Sequence, residues 1–290
     1  MKYNGKLVVI SGATASGKSG IALKLAKKIN GVIINADSRQ IYKEISIGTA
    51  KPSEIDMENI PHYLYGHVSV KEKYNVYRYQ KDIGKVLEDI PESKTPILVG
   101  GTGLYIDCIV YNYSLQESDK EWINEREKLS KLNIEELRKM VDKDILSEIN
   151  ESDINNPVRL IRIIEKGNTI HRKGKPLNHK YFVLDIPKKI IHNNIERRVN
   201  DMFKKGLLEE NVNKRELGLE KYPSLNTIGY KEFDKYFNSE ITIEDVKKEI
   251  ISNTKKYAKR QITWFKRNKD AIWANDYSYI EEEVLKFINT

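Results

Sequence analysis

The hydrophobic pattern near the amino terminus predicts a buried strand followed by an amphipathic helix. Leu7-Val8-Val9-Ile10 is an unbroken apolar run rich in β-branched residues, the mark of a strand covered on both faces. After a polar, glycine-bearing turn, Ile21, Ala22, Leu25, Ala26 and Ile29 recur at helical spacing, and Asn30-Gly31 supplies a stop. The buried-strand pattern returns at Val32-Ile33-Ile34-Asn35-Ala36, at Pro96-Ile97-Leu98-Val99 and at Tyr181-Phe182-Val183-Leu184-Asp185-Ile186. Residues 60–68 mix aromatic and β-branched side chains and predict a further short strand. Asn75 caps a segment in which Val76, Tyr79, Ile83, Val86, Leu87 and Ile90 share one helical face. Strands that alternate with helices in this way predict an α/β fold, a parallel sheet flanked by helices.

From about Leu115 the strand pattern stops. Residues 116–180 are charged, helical in period, and without a convincing strand until Tyr181. Within them Asn155-Asn156-Pro157-Val158-Arg159-Leu160-Ile161-Arg162-Ile163-Ile164 reads as a capped helix with proline in its first turn. The expected organisation is therefore an α/β core from residues 1–115 and 181–290, with 116–180 as an inserted all-helical lobe. After Pro187 a second amphipathic helix turns Ile191, Ile195, Val199 and Met202 inward, and Arg198 lies one position from that stripe. Residues 241–269 predict one long basic helix, with Thr242 as cap and Asp245 at the capping-box position.

Composition narrows the setting. The chain has 290 residues, 39% hydrophobic and 32% charged, and no apolar run long enough for a transmembrane helix. Met1 to Gly5 runs directly into the first strand and leaves no room for a signal peptide. Cys108, the single cysteine, lies in an apolar stretch and reads as a small buried hydrophobe. Together these features predict a cytoplasmic protein. Fifty Lys and Arg against forty-two Asp and Glu give a net charge of +8, which permits a nucleic-acid partner without requiring one.

Candidate chemistry is concentrated at the strand ends. Gly12-Ala13-Thr14-Ala15-Ser16-Gly17-Lys18-Ser19 matches GxxxxGK[ST] between a predicted strand and a predicted helix. Glycines let such a loop wrap a polyphosphate, backbone N–H groups and the helix N-terminus face the anion, and Lys18 adds a charge. The Ser19 hydroxyl is the candidate ligand for Mg²⁺. Asp37 follows the second strand and should stand at the same sheet edge, where it serves either as a turn-forming cap or as a functional carboxylate. Gly100-Gly101-Thr102-Gly103 repeats the strand-to-glycine-turn logic, and its glycines allow close backbone approach. Arg159 and Arg162 share a helix face, where solvated charges describe them equally well, and Arg198 could reach the sheet edge, though a surface arginine is the default reading. Lys255 to Lys269 carries Lys and Arg interleaved with Tyr257, Trp264 and Phe265, without an acid. That pattern suits phosphate contact plus base stacking, or else a solvated basic face over a core-directed aromatic stripe. His62 and His67 lack a Cys or carboxylate at zinc-ligand spacing.

Several stretches together resemble one family, the tRNA dimethylallyltransferases (IPP transferases). They are Gly12 to Ser19, Ala36-Asp37-Ser38-Arg39-Gln40-Ile41-Tyr42, Ile47-Gly48-Thr49-Ala50-Lys51-Pro52, Val99-Gly100-Gly101-Thr102-Gly103-Leu104-Tyr105, Ile228-Gly229-Tyr230-Lys231-Glu232 and Lys259-Arg260-Gln261-Ile262-Thr263-Trp264-Phe265. They span nearly the whole chain in the family's order, and only the phosphate loop is generic. The resemblance implies a P-loop NTPase-like core and transfer of a dimethylallyl group from dimethylallyl diphosphate to the exocyclic amine of an adenosine in tRNA. The adenosine would be the one immediately 3′ of the anticodon, in tRNAs that read codons beginning with U. It further implies that Gly12 to Ser19 bind the diphosphate, with Mg²⁺ on Ser19, and that Lys18 and Arg198 stabilise the leaving group. Asp37 would be the general base, with Thr102 positioning the reacting groups. The tRNA would be held by Asp37, Ser38, Arg39, Gln40 and Thr102, by Arg159, Leu160, Ile161, Arg162 and Ile163 of the insertion, and by Lys259, Arg260 and Gln261. A monomer with no obligate protein partner is expected. The rivals are an adenylate isopentenyltransferase, a small-molecule P-loop kinase, and a nucleotide-gated RNA-binding protein without chemistry.

Overall fold

β1 (Leu7–Ser11) is buried along its whole length and lies between two other strands. The computed structural model describes residues 3–57, 59–115, 122–165, 167 and 172–290. The amino end of the expected insertion, residues 116–121, lies outside the described residues. Among those described, six strands form one parallel sheet in the order β3-β2-β4-β1-β5-β6. α1 (Lys18–Lys28) leads into β2 (Gly31–Asn35), then come the short α2 (Glu54–Met57), β3 (His62–Tyr63), α3 (Val76–Asp89) and β4 (Thr95–Gly100). α4 (Gly103–Val110) follows β4 directly. Asn75 caps α3 by accepting from Arg78 N, and the rings of Tyr79 and Tyr105 stack at 4.1 Å between α3 and α4.

The chain separates into two units, residues 1–112 with 175–290, and residues 113–174. The first unit therefore regains the chain before the expected position 181. Leu177 is buried there, its N–H bonded to Val110 O at 2.9 Å, and Leu7 N donates to Asn178 O at 2.9 Å. The neighbouring strand β5 (His179–Leu184) starts two residues earlier than its apolar pattern suggests.

The smaller unit contains α5 (Trp122–Leu129), α6 (Ile134–Lys139), α7 (Lys143–Glu148), α8 (Glu151–Ile154) and α9 (Pro157–Ile164). Its short helices are held by local caps: a capping box on α6 from Asn133 and Glu136, and Asn156 accepting from Arg159 N on α9. Its core is a cluster of Leu129, Leu137, Val141, Ile145, Leu160, Ile161 and Ile163. Leu160 is fully buried, so Leu160→Ala is expected to destabilise this unit by about 2–5 kcal/mol in urea unfolding.

Beyond β5 the larger unit continues through α10 (Lys188–Lys204), α11 (Leu207–Glu216) and α12 (Phe233–Phe237). α13 (Ile243–Phe265) is the long basic helix, started by the Thr242–Asp245 capping box. β6 (Ile272–Ala274) and α14 (Tyr277–Asn289) end the chain. α1 and α14 cover one apolar cluster with Val8, Ile10, Phe182 and Leu184. Ile191, Ile195 and Val199 of α10 pack with Val246, Ile250 and Ala258 of α13 in another. The carboxyl ends of β1, β2 and β4 all open on one edge of the sheet, where parallel α/β folds gather their ligand loops.

Candidate active site

The loop after β1 is shaped by its backbone. Gly12, Ala15 and Gly17 have positive φ of 151°, 61° and 88°. Gly17 precedes α1 in a left-handed conformation, and a Cβ added there would meet nothing within 4 Å, so space lies open in front of the helix. α1 carries no acid in its first turn and no side-chain cap, which leaves its amino-terminal N–H groups and positive dipole end directed at that space. Ser16 Oγ is buried beside Gly12 without a hydrogen-bond partner among the described residues. Lys18 Nζ bonds Ala13 O at 3.3 Å. Burial pushes its pKa down to about 8; the Asp37 carboxylate works against that shift and the Arg198 guanidinium adds to it.

Asp37 is held in place by a residue that sequence reasoning treated only as part of a strand. Asn35, fully buried at the end of β2, accepts from Asp37 N at 2.8 Å and donates to the carbonyls of Asp37 and Leu64, each at 3.0 Å. A polar residue closing an apolar strand was the available signal. Asp37 Oδ1 accepts from Arg39 N at 2.9 Å, which closes the turn. Thr102 does not line the cavity itself; its hydroxyl accepts from Ser38 N at 3.0 Å and stands beside the Tyr257 hydroxyl. Gln40 folds back, its amide donating to Thr49 O at 3.0 Å and Ala50 O at 2.9 Å.

Residues 46–50 form the facing loop. Three of their N–H groups meet one acid: Glu210 accepts from Ser46 and Ile47 at 3.1 Å and from Gly48 at 3.4 Å, and also receives the Tyr230 hydroxyl. The Thr49 and Ala50 carbonyls accept from Gln40. Arg198 donates to Thr49 O at 3.4 Å and to Thr14 Oγ1 at 3.5 Å, so α10 delivers this arginine to the phosphate loop rather than to solvent. Its charge is held among buried surroundings that lower its pKa, an effect Asp37 offsets.

These loops enclose a cavity of about 470 Å³. One wall is cationic, with Lys18, Arg198, Arg39, Lys231 and Arg260. Another is apolar, with Ile195, Val199 and Met202 of α10 beside Ile228 and Ile250. Among the described residues, Asp37 is the one acid lining it. A second space of about 740 Å³ lies on the outer side of the phosphate loop and shares Lys18, Ser19, Ala50, Arg198 and Met202 with the first. Ser19 is exposed between the two, in the first turn of α1. A single hydroxyl near an anion site suits Mg²⁺, which takes few protein ligands and completes its shell with water and phosphate oxygens.

Two sequence expectations require correction. Leu160, Ile161 and Ile163 are buried core residues of the helical unit rather than an outward face of α9; Arg159 and Arg162 are exposed on it, Arg159 paired with Asp153. Gln261 is buried, with its amide bonded to Thr14 N and Gly101 O, each at 2.8 Å, so it does not face outward with Lys259 and Arg260. Gly100, Gly101 and Gly103 do allow close approach, here of protein atoms: a Cβ would overlap Ala36, Gln261 and Trp264 respectively. Of the two readings of Lys255 to Lys269, the inward-directed stripe holds for Phe265, which is buried, and for Trp264, which donates to Asp107 at 2.7 Å, while Tyr257 reaches the cavity.

The sequence model of the IPP transferase family matches residues 40–268. A tRNA dimethylallyltransferase of Caldanaerobacter subterraneus subsp. tengcongensis is 37% identical to this chain, over 96% of it and 94% of the relative. The crystal structure of a full-length tRNA isopentenylpyrophosphate transferase from Bacillus halodurans superposes with a TM-score of 0.76 at 30% identity, covering 98% of this chain and 97% of that one. A eukaryotic dimethylallyltransferase acting on tRNA superposes with a TM-score of 0.78 at 26% identity, covering 95% of this chain and 75% of that one.

Proposed function

The chain belongs to the IPP transferase family of prenyl-transferring enzymes, and from that membership we propose a specific reaction. It transfers the dimethylallyl group of dimethylallyl diphosphate to the exocyclic amine of the adenosine immediately 3′ of the anticodon. The tRNAs are those that read codons beginning with U, and the reaction takes place in the cytoplasm. The observation that carries this reading is the cavity with a cationic wall, an apolar wall and the Asp37 carboxylate. A diphosphate needs the first, a five-carbon prenyl group the second, and an amine that must lose a proton the third.

The diphosphate lies against the amino end of α1, with Lys18 and Arg198 as its charged partners. As the allylic C–O bond breaks, its electron pair passes to the diphosphate, and these groups stabilise the growing charge. The prenyl tail rests on Ile195 and Val199. The adenine leaves its stack to enter the cavity. Its amine forms the new N–C bond and gives its proton to Asp37. Thr102 acts through Ser38, holding the turn that carries Asp37. Ser19 would hold Mg²⁺, which would supply further charge neutralisation on the diphosphate.

Incubating the protein with labelled dimethylallyl diphosphate or ATP, with and without tRNA, separates this reading from its rivals. Dimethylallyladenosine found by nucleoside mass spectrometry of the tRNA is the expected product. Prenylation of free adenylate, or phosphoryl transfer from ATP, would overturn it.

Lys259 and Arg260 are exposed near the carboxyl end of α13, where they can meet RNA phosphates. Lys259→Ala and Arg260→Ala are each expected to reduce the salt slope of tRNA binding by about one. Unchanged slope and affinity in both variants would make this a solvated face.

A further inference from the structure

α13 touches the phosphate loop through a buried side chain, and the contact has a direction. Gln261 is 5% exposed. Its carbonyl oxygen accepts from Thr14 N and its amide donates to Gly101 O, both at 2.8 Å. The two ends of the amide are used in opposite senses, so neither a carboxylate nor a hydrocarbon replaces both. Gly101 admits the contact because it lacks a Cβ. Thr14 lines the cavity, and its hydroxyl accepts from Arg198. A loop N–H of the kind that elsewhere faces a phosphate is here spent on fixing the loop's first turn.

Resting on the reading above, we propose that Gln261 is a positioning residue of the donor subsite: it holds Thr14, and through Thr14 the Arg198 guanidinium, where the diphosphate binds. It touches neither substrate. Its neighbour in sequence, Lys259, is exposed on the same helix, so the two positions should have opposite signatures. Gln261 governs the donor, and Lys259 governs the RNA.

The test uses the full chain with Gln261→Met, which keeps the length of the side chain, and Gln261→Glu, which keeps its shape. Binding of dimethylallyl diphosphate with Mg²⁺ is measured by calorimetry, binding of a tRNA anticodon stem-loop by filter retention, and transfer by steady-state kinetics. Loss of these bonds leaves Thr14 N or Gly101 O unpaired, and KM for the donor is expected to rise about tenfold. Gln261→Glu keeps an acceptor for Thr14 N but sets a second acceptor against Gly101 O, which displaces the side chain, so its KM is expected to rise as well. kcat at saturating donor should fall much less than kcat/KM, and the affinity and salt slope for the stem-loop should stay at the parent values. Should the Met variant fail to fold, the near-isosteric Glu variant carries the same measurement. A parent chain that binds no dimethylallyl diphosphate overturns the functional reading and this inference with it. A parent that binds it while both variants bind it equally well overturns this inference alone. A fall in stem-loop affinity with donor binding intact would make Gln261 an RNA contact and overturn it too.

Discussion

Replacing Asp37 by Asn is expected to slow prenyl transfer by about 10²–10⁴-fold in single turnover at saturating donor and tRNA, the usual span for losing a general base. The substitution is clean in this setting. Arg39 N donates to Asp37 Oδ1, and the amide oxygen of Asn can accept the same bond, so the turn closed by Asn35 and Arg39 is kept. The lost element is the ability to take a proton at the acidic position lining the cavity. One side effect must be kept out of the measurement. The Asp37 charge raises the Lys18 pKa against the effect of burial, so its removal shifts Lys18 below about 8. The comparison should therefore be made under slightly acidic conditions, where Lys18 is charged in both proteins. Affinities for tRNA and donor are expected to change little, because the interaction belongs to the transition state. A rate within a few-fold of the parent would make Asp37 a strand-end cap, with the proton leaving by another route.

The parts of this site legible in the sequence are those built from neighbours in the chain. A continuous apolar run followed by GxxxxGK[ST] and a helical period can hardly be arranged other than as strand, loop and helix, and Asp37 after a second such run has to fall at the same edge. The parts that were not legible depend on distant side chains meeting backbone. Glu210 gathers three N–H groups 162 to 164 residues away, and Gln261 reaches Thr14 across 247 residues. No local period encodes such a contact. The glycines of the β4 turn announce a close approach without its partner, since a missing Cβ reads alike whatever fills the gap. Leu160, Ile161 and Ile163 differ: the resemblance implies tRNA contact for the whole stretch from Arg159 to Ile163, while its apolar members pack into the core of their own unit.

Lys18→Ala and Arg198→Ala are each expected to lower kcat/KM for the donor by about 10²–10³-fold, the range seen when one preorganised donor to a developing anion is removed. Stem-loop binding should persist in both. Lys18 also carries a pH signature. Its pKa is lowered to about 8, chiefly by burial, so the free protein loses this charge as the pH rises through that value. A diphosphate binds the protonated form more tightly. Above about pH 8 binding must therefore draw in a proton, and donor affinity is expected to fall by up to about tenfold for each further unit of pH. Below that value Lys18 is already charged and the affinity should be level. Lys18→Arg tests the assignment independently of how much affinity the new side chain recovers. A guanidinium stays charged throughout this range, so the variant should lose the alkaline decline. Calorimetric titration of dimethylallyl diphosphate from about pH 7 to about pH 10 reads both proteins. If the parent's affinity is flat across that interval, Lys18 does not titrate against the donor, and full turnover in Arg198→Ala would remove Arg198 from the leaving-group site.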